Sequence, residues 1–416
     1  MTYNISIYHE TRRIKENDKY SVKIRVYNKH ESIKKVRYFT TGIDLTEKEF
    51  ETIWLNPENK KLRGSNKEIE LKLKDIEKRA NDEANAMSIF DFSKFEKKLF
   101  RKSSDKNNIK YHFNLVIDKH MSNDKIGTAE SYRYTLNSLA KFSEHKKKGS
   151  IDKLSFNDIS VDWLKEYEKF MIANGKSYTT VGIYTRTLRV IFNNAIEEND
   201  ISIDVYPYGK NKYKIPRTKK VKKALNSTQL TTLFKAKVSN EREEEAKKFW
   251  FFSYACNGMN IKDIALLKYS DFNNGKFTYY RAKTFDKSSE KTEITIYLTD
   301  FTSGIIEKYG NKKKDGFVFN IVNKSEDSET QYKKIKNFNR YINDHIKRIA
   351  TANDLPSDCS FYWARHSFAT NSIRKGASME FISEALNHSD VNVTKNYFAG
   401  FEDEAKKEFA NSLLDF

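Results

Sequence analysis

Apolar and polar positions along the chain follow two different periodicities. Residues 1 to about 60 are predicted to be rich in β-structure, because residues 20–26 alternate as YSVKIRV and residues 36–40 read VRYFT after a polar turn. A helix is predicted to begin after Thr46, a residue type that caps helix N-termini. Residues 65–100 then follow a highly charged helical pattern. The first part of the chain is therefore expected to fold as an α+β unit.

The middle of the chain follows the helical repeat almost throughout. Thr128, Ser160 and Ser177 stand where N-cap residues are expected. The pattern predicts helices at residues 110–121, 128–145, 160–174 and 177–198. Residues 107–205 are therefore expected to form an all-α unit, preceded by a polar linker at residues 101–109 (RKSSDKNNI).

The last part of the chain mixes both patterns. Asn226 followed by Gln229 resembles a capping box at its start. Residues 276–284 (KFTYYRAKT) and 292–298 (TEITIYL) are separated by a polar turn and predict a β-hairpin. Helices are predicted at residues 227–237, 243–256, 261–268, 330–352, 361–375, 379–387 and 402–413. The expected fold class is multidomain and mainly α with small β elements, with domains at residues 1–100, 107–205 and 224–416.

The chain is strongly basic, with a formal net charge of +19. This charge favours a polyanionic partner, either nucleic acid or an anionic membrane surface, although a general enrichment in Lys, Asn and Ile explains part of it. The longest apolar and aromatic stretch, residues 249–256, is far shorter than the ~20 residues of a membrane span. The N-terminus has no signal-peptide pattern, and Cys256 and Cys359 suggest neither a disulfide framework nor a zinc site. We therefore expect a cytoplasmic protein that binds nucleic acid and not a membrane.

Residues 206–223 form a basic linker between the second and third predicted domains. They contain the run PYGKNKYKIPRTKKVKK. Such a run is either a solvated hinge or a segment that follows the phosphate backbone of DNA. Because it joins two units of a basic protein, we favour the second interpretation, with Lys219, Lys220 and Lys222 as candidate phosphate contacts.

Two segments near the C-terminus carry a specific pattern. Residues 361–370 read FYWARHSFAT, and residues 386–399 read LNHSDVNVTKNYFA. Arg365 precedes His388 by 23 residues, and Tyr397 follows His388 by nine. In order and spacing these segments resemble the second conserved box of the tyrosine recombinases, the family of the phage integrases. Taken singly, each residue is more simply explained by packing, a turn or an ion pair; their joint spacing favours catalysis.

The resemblance implies a chemistry that suits these residue types. Breaking and rejoining DNA without an energy source requires a covalent intermediate, and the phenol of Tyr397 is the expected nucleophile. The guanidinium of Arg365 is expected to bind two non-bridging phosphate oxygens in the transition state, with His388 as a further hydrogen-bond donor. This chemistry requires no metal and no other cofactor.

Residues 256–272 (CNGMNIKDIALLKYSDF) resemble the family's first box, Thr-Gly-Leu-Arg-x-x-Glu-Leu, with one departure. Gly258 matches the turn, but Asn260 stands where the first catalytic arginine belongs, as is familiar among integrases of Bacteroidetes mobile elements. In the predicted hairpin Lys283 occupies the place of the family's catalytic lysine. Because side chains alternate along a strand, Arg281 is expected on the same face. We expect Arg281 to supply the missing guanidinium and Lys283 the proton for the departing 5′-oxygen, unless both are solvated bases. The alternatives to Lys283 are two lysines of the hairpin turn, Lys287 and Lys291.

A second departure is Tyr362, at a position where the family usually has a histidine. Residues i and i+3 share one face of a helix, so Tyr362 and Arg365 are expected to point into the same site. A tyrosine hydroxyl can donate to a phosphate but does not titrate near neutrality as histidine does. We therefore expect a positional role for Tyr362, or simple packing in the core. His366 is expected to be a structural neighbour.

The resemblance covers nearly the whole chain. It implies an arm-type DNA-binding domain in residues 1–100, a helical SAM-like core-binding domain in residues 107–205 and a mixed α/β catalytic domain in residues 224–416. Residues 177–189 are similar to the DNA-contacting helix of the core-binding domain. The candidate DNA contacts on it are Thr179, Thr180, Tyr184, Arg186 and Arg189. The implied substrate is double-stranded DNA with core and arm sites, bound by a homotetramer, with a host DNA-bending protein and an excisionase as candidate accessory partners.

The C-terminal segment is amphipathic. Its apolar residues Phe401, Ala405, Phe409 and Leu413 recur every four positions. Such a segment either packs against its own domain or, as the resemblance implies, docks on a neighbouring subunit, and we favour the second.

Three functions stay open at this point. The first is an integrase that integrates or excises a mobile element through a 3′-phosphotyrosine intermediate. The second is a DNA-binding regulator with impaired catalysis, which the departures at Asn260 and Tyr362 favour. The third is a related enzyme of the same chemistry, namely a type IB topoisomerase, an invertase or a resolvase. The arm-like N-terminal domain favours the integrase.

Overall fold

The fold is described from a computed structural model. It covers residues 3–30, 33–55, 62–87, 89–146, 149–218, 223–285, 291–388, 390–401 and 403–413. The chain divides into two compact units, one of residues 1–119 with 129–217 and the other of residues 120–128 with 218–416. The N-terminal and helical regions, predicted as separate domains, thus lie in one unit. No helix in the described part of the chain is both long and apolar enough to cross a membrane.

The first unit begins with an antiparallel sheet in the order β1-β2-β3. Its strands are β1 (Tyr3–Ile14), β2 (Tyr20–His30) and β3 (Ile33–Leu45). Ile7, Ile24 and Phe39 are paired across the strands and buried on one face of the sheet, in a core shared with two helices. These helices are α2 (Gly64–Asn85) and α3 (Phe92–Leu99). The helical pattern predicted for residues 65–100 is thus divided between two helices, and Asp91 caps the second.

The cap predicted at Thr46 is confirmed. Its side chain accepts a hydrogen bond from the Glu49 amide, and the Glu49 carboxylate accepts one from the Thr46 amide, at the start of α1 (Glu47–Phe50). This capping box satisfies the first free N–H groups of the helix, which continues directly as a π-helical segment, Glu51–Leu55.

Four longer helices follow in the first part of the chain. They are α4 (Ile109–Met121), α5 (Ile126–His145), α6 (Val161–Ala173) and α7 (Tyr178–Glu197). The predicted N-caps Ser160 and Ser177 are confirmed, since each accepts a backbone N–H three residues ahead. Thr128 is not a cap, because α5 begins two residues before it.

A buried ion pair joins the end of the N-terminal region to the end of α7. The guanidinium of Arg101 donates to both carboxylate oxygens of Asp200, at 2.6 and 2.9 Å. Lys98 adds a 3.0 Å ion pair with Glu198. The segment predicted as a polar linker thus begins with a buried arginine. The two charges, both excluded from water, are tolerated here because they satisfy each other.

The core of the second unit is centred on helix α9, whose second half is apolar. Its helices are α8 (Ser227–Lys235), α9 (Glu241–Ala255), α10 (Ile261–Leu266), α11 (Asp300–Tyr309), α12 (Ser328–Ala352), α13 (Phe361–Arg374), α14 (Met379–Ala385), α15 (Val391–Lys395) and α16 (Asp403–Ser412). A small antiparallel sheet contains β4 (Phe272–Asn273), β5 (Lys276–Tyr279) and β6 (Ile294–Tyr297). The predicted capping box of Asn226 and Gln229 is confirmed. The indole of Trp250, fully buried on α9, donates to the Ser360 carbonyl at 3.0 Å and thereby fixes the start of α13.

Candidate active site

Helix α13 supplies the central residues of the site. The first-box turn packs directly against this helix at Gly258, which has a positive φ of 67°. A Cβ on Gly258 would come within 2.6 Å of the Arg365 Cα. Only glycine fits such a close approach of two backbones with that φ. The sequence therefore folds so that the two conserved boxes meet at Arg365.

The guanidinium of Arg365 is buried, with 2% of the residue exposed. It donates to the carbonyls of Gly258 at 3.1 Å and Leu386 at 2.6 Å, and one of its nitrogens lies 3.4 Å from His388 Nε2. Burial lowers the pKa of Arg365, and the nearby positive charge of Arg281 lowers it further. Within the described residues Arg365 forms no ion pair with a carboxylate, so its charge stays available for an anion.

Arg281 converges on the same point from a different element. It is 6% exposed and donates to the Leu386 carbonyl at 3.3 Å, the acceptor that Arg365 also uses. The Nε atoms of both guanidiniums have no hydrogen-bond partner among the described residues. Two buried arginines with unsatisfied donors are the arrangement that a phosphate would satisfy.

Lys283 differs from the prediction made for it. The alternation argument is wrong, because β5 ends at Tyr279 and residues 282–285 form a turn whose amides at positions 284 and 285 point back to the Arg281 carbonyl. Arg281 is therefore buried, whereas Lys283 is exposed. Lys283 nevertheless lies close enough to His388 for its charge to lower the pKa of that ring. Of the alternative lysines, Lys287 lies outside the described residues, and the ammonium of Lys291 sits 4.0 Å from the centre of the Phe285 ring.

Asp263 also belongs to this cluster, although it is not among the site residues predicted from the sequence. It is 5% exposed, accepts the Ala282 amide at 2.9 Å and is hydrogen-bonded by Asn260. Burial raises the pKa of Asp263, and the charges of Arg281 and Arg365 partly offset that effect. The carboxylate thus ties α10 to the turn that carries Arg281. Its place in the first box, where the family pattern has a glutamate, was the signal that could have identified it.

His388 is held by a second set of contacts. Its Nδ1 lies 2.9 Å from the Thr394 hydroxyl, and its backbone amide donates to the Ser383 carbonyl at 2.9 Å. Burial lowers the pKa of His388 to about 3, with Arg365 and Arg281 adding to the effect. The imidazole is therefore neutral at physiological pH and faces the guanidinium of Arg365 without competing for an anion.

Tyr397 completes the site. Its carbonyl accepts a 3.0 Å hydrogen bond from the Thr370 hydroxyl, which anchors this segment to α13 of the same chain. Its ring lies between the rings of His366 and His388, at centroid distances of 4.6 and 5.0 Å. Its hydroxyl is 2.6 Å from the hydroxyl of Tyr362. All three residues of the second box, together with Tyr362, therefore surround one point.

The electrostatics of Tyr397 favour its ionised form. Burial raises the pKa of the phenol, but the hydrogen bond with Tyr362 lowers it. The charges of Arg365 and Arg281 act in the same direction, and the net result is a lowered pKa. Such an arrangement can hold a phenolate beside two guanidiniums, which suits nucleophilic attack on a phosphodiester.

The candidate DNA contacts on α7 lie in the first unit. Thr179, Arg186 and Arg189 are exposed, and Thr180 and Tyr184 are half-buried. This helix packs closely on the start of the basic linker, because a Cβ on Gly182 would lie 2.8 Å from the Pro216 carbonyl. The remaining candidates, Lys219, Lys220 and Lys222, lie outside the described residues.

Comparisons with known proteins support the family that these site residues indicate. The Phage integrase SAM-like domain matches residues 109–215, and the Phage integrase family matches residues 223–404. The chain is 23% identical over 306 residues to Tyrosine recombinase XerD of Oceanobacillus iheyensis, which covers 69% of this chain and 91% of that protein. It is also 23% identical over 296 residues to Tyrosine recombinase XerD of Staphylococcus aureus, a match that covers 68% of this chain and 90% of that protein. The chain belongs to the tyrosine recombinase, or phage integrase, family.

Solved structures share the fold. The Tn1549 transposon integrase in complex with a circular intermediate DNA aligns with a TM-score of 0.51 at 14% identity, over 73% of this chain and 99% of that chain. The XerH site-specific recombinase bound to a palindromic difH substrate aligns with a TM-score of 0.50 at 19% identity, over 82% of this chain and 95% of that chain. The predicted fold class, a mainly helical multidomain recombinase with small sheets, is confirmed.

Proposed function

We propose that this chain is a catalytically active site-specific DNA recombinase that integrates or excises a mobile element in the cytoplasm. Membership of the family supports site-specific recombination. The observation that carries catalytic competence is the convergence of one phenol, two guanidiniums and a neutral imidazole at one point of the second unit. These groups belong to Tyr397, Arg365, Arg281 and His388.

Cleavage begins with attack of the Tyr397 oxygen on the scissile phosphorus. The new bond joins this oxygen to the 3′-phosphate, and the bond to the 5′-oxygen breaks. The negative charge that develops on the non-bridging oxygens is met by the free donors of Arg365 and Arg281. Lys283 gives its proton to the departing 5′-oxygen, which leaves as a hydroxyl. Rejoining reverses these steps when a 5′-hydroxyl of the partner strand attacks the phosphotyrosine.

Arg281 supplies the guanidinium of the family's first arginine, whose position is occupied by Asn260 in this chain. Both arginines donate to the Leu386 carbonyl, so their charges lie side by side. Two like charges in a buried site repel each other, and an anionic ligand relieves that repulsion. Asp263 offsets only part of it, which leaves net positive charge for a phosphate.

The first unit contributes two surfaces for duplex DNA. One is the exposed side of α7, with Thr179, Arg186 and Arg189, continued by the basic linker. The other is the outer face of the N-terminal sheet, where Arg25 and Tyr38 are cross-strand neighbours and both are exposed. A sheet face of this kind fits the major groove, which suits an arm site. Arg25→Ala should therefore weaken binding to arm sites and leave binding to core sites unchanged.

We also propose that the enzyme works as a tetramer. Phe401, Phe409 and Leu413 on and beside α16 are 50%, 67% and 61% exposed. Apolar side chains of an amphipathic helix are rarely left uncovered in a monomer, which favours docking on a second copy of the chain. Truncation before α16 should then reduce assembly on DNA in sedimentation experiments.

Strand exchange between two DNA sites tests the proposed function. The substrates are two duplexes built from the repeats that flank the gene, one of them labelled. The wild-type chain should produce recombinant duplexes, and Tyr397→Phe should produce none, because only the nucleophilic oxygen is lost.

The alternatives give different results in the same assay. Binding without a covalent adduct would identify a DNA-binding regulator, the reading that Asn260 favours. An adduct with relaxation of supercoils but without exchange would identify a topoisomerase. Exchange between two sites in one molecule, without any joining of two separate duplexes, would identify an invertase or resolvase.

A further inference from the structure

A second phenol touches the reacting atom, and the cleavage steps above give it no chemical role. The hydroxyl oxygens of Tyr362 and Tyr397 are 2.6 Å apart. This distance lies within the range of hydrogen bonds between hydroxyl groups and also fits a hydrogen bond to a charged oxygen. Tyr362 is 45% exposed, so it lies at the mouth of the site, where a DNA strand would enter.

Rigid elements set this distance. Tyr362 is the second residue of α13, whose start is fixed by the hydrogen bond from Trp250 to Ser360. The Asn343 side chain accepts the Phe361 amide at 2.7 Å and fixes it a second time. At the other partner, Thr370 of the same helix holds the backbone of Tyr397. Both phenols are therefore positioned by one helix: Tyr362 belongs to it, and the turn that carries Tyr397 is hydrogen-bonded to it through Thr370.

We propose that Tyr362 is a catalytic hydrogen-bond donor that stabilises the phenolate form of Tyr397, both when Tyr397 attacks and when it departs in rejoining. This inference rests on the proposed function and gives the site its own means of activating the nucleophile. The family's histidine at this position could accept a proton. A neutral phenol does not take up a proton near neutral pH, and here it acts as a hydrogen-bond donor that keeps its proton.

The direction of the hydrogen bond follows from the surroundings of the two phenols. The Arg365 guanidinium carbon lies 5.6 Å from the centre of the Tyr397 ring, so negative charge is favoured on Tyr397. Burial raises the pKa of Tyr362, and its contact with Tyr397 raises it further, whereas the pKa of Tyr397 is lowered. Tyr397 therefore ionises first, and Tyr362 remains the donor.

The protons balance as follows. Before attack, the Tyr397 hydroxyl loses its proton to solvent water, and Tyr362 keeps its own throughout. The phenolate oxygen then forms the bond to phosphorus as the bond to the 5′-oxygen breaks. In rejoining, the Tyr397 oxygen leaves as a phenolate and again accepts the hydrogen bond of Tyr362.

Other charged and titratable groups also face the nucleophile. From α13 these are Arg365 and His366, from the turn after α14 His388, and from the turn after β5 Arg281 and Lys283. The pKa of His388 is about 3, which is well below the pH range of the profile. Measuring a His366→Asn variant alongside separates the titration of that imidazole from the titration of the tyrosine pair.

The test is the pH profile of single-turnover cleavage by the full chain on a nicked suicide duplex. Tyr362→Phe removes one oxygen and should slow cleavage about ten- to hundred-fold near neutral pH, the usual effect of losing a hydrogen bond to a charged group. Its profile should move to higher pH by about one to two units and approach the wild-type rate in alkali. Tyr297→Phe, an exposed tyrosine on β6, is the matched control and should behave as wild type.

A wild-type profile for Tyr362→Phe would overturn the inference, and so would an equal loss at every pH, since the latter indicates a structural role. Direct titration gives an independent reading without DNA. With ring-labelled tyrosine, nuclear magnetic resonance should show that Tyr397 ionises below Tyr362, and that Tyr397 ionises at higher pH in Tyr362→Phe. An unchanged Tyr397 titration contradicts the inference. Loss of the covalent adduct from the wild-type chain contradicts the proposed function instead.

Discussion

Gly258 lies directly against the backbone of Arg365, so that a Cβ at this position would come within 2.6 Å of the Arg365 Cα. This contact joins the two conserved boxes and sets the depth of the guanidinium in the site. The carbonyl of Gly258 also accepts from Arg365 at 3.1 Å. Gly258 thus positions Arg365 in two ways. It leaves room for the close approach of the two backbones, and its carbonyl accepts a hydrogen bond from the guanidinium.

Gly258→Ala should displace α13 and reduce cleavage as well as stability. The positive φ costs about 1 kcal/mol for alanine, and the overlap with Arg365 adds about 1 to 3 kcal/mol. Gly275→Ala is the matched control, because Gly275 has a similar φ of 73° but open space around it. Urea unfolding and cleavage assays of both variants separate the two costs. Equal losses in the two variants would show that the contact with Arg365 is unimportant.

The chemistry of the site was largely predictable from local sequence, whereas its assembly was not. Arg365, His388 and Tyr397 follow a fixed spacing, so two neighbouring segments of the chain, residues 361–370 and 386–399, predict all three. Asp263 and Arg281 act together only through a contact between α10 and the turn after β5. Contacts between residues distant in sequence leave no periodic signal, so the first box marks Asp263 as a candidate but cannot predict its contact with the turn that carries Arg281.

The same limit applies to the fold. Long amphipathic helices such as α7 and α12 were predicted to within a few residues, because their periodicity is strong. The short helices α11 and α15 and the strand β1 were not predicted individually. Residues 280–284 have a strand-like composition and are predicted as strand. The chain bends there instead, because Arg281 packs against Leu386.

Arg281→Ala should abolish cleavage if this residue replaces the arginine missing at Asn260. Loss of one buried transition-state donor typically costs about a hundred- to a thousand-fold in rate. Arg281→Lys keeps the charge but loses the planar fork, and should recover only a small part of the activity. Filter binding to the same DNA should change far less than cleavage. Near-normal cleavage by Arg281→Ala would show that another group supplies the charge.

Lys283→Ala should fail on ordinary DNA and recover on DNA with a sulfur in place of the bridging 5′-oxygen. A thiolate leaves without prior protonation because a thiol has a pKa near 8.5, so a general acid is not needed. Arg281→Ala should not recover on this substrate, since its role is to bind the non-bridging oxygens. The comparison is made by single-turnover kinetics on both substrates. Absence of rescue in Lys283→Ala would remove this lysine from the role of general acid.

His388 should make the second unit sensitive to acid. Its pKa is about 3 in the folded chain, mainly because of burial, and near 6.5 when unfolded. Between these values the unfolded state binds a proton that the folded state does not, so stability falls as pH falls from about 6.5. His388→Gln should flatten the pH dependence of the unfolding free energy in this window and leave it unaltered above it. A slope equal to that of the wild type would contradict the assigned environment.

The most direct test of the central claim is to identify the covalent adduct itself. The wild-type chain is trapped on a suicide duplex and digested, and the DNA-linked peptide is sequenced by mass spectrometry. The account predicts a 3′-phosphate ester on Tyr397, a free 5′-hydroxyl on the released strand, and no adduct in Tyr397→Phe. An adduct on another residue, Tyr362 included, or an adduct that persists in Tyr397→Phe would contradict it.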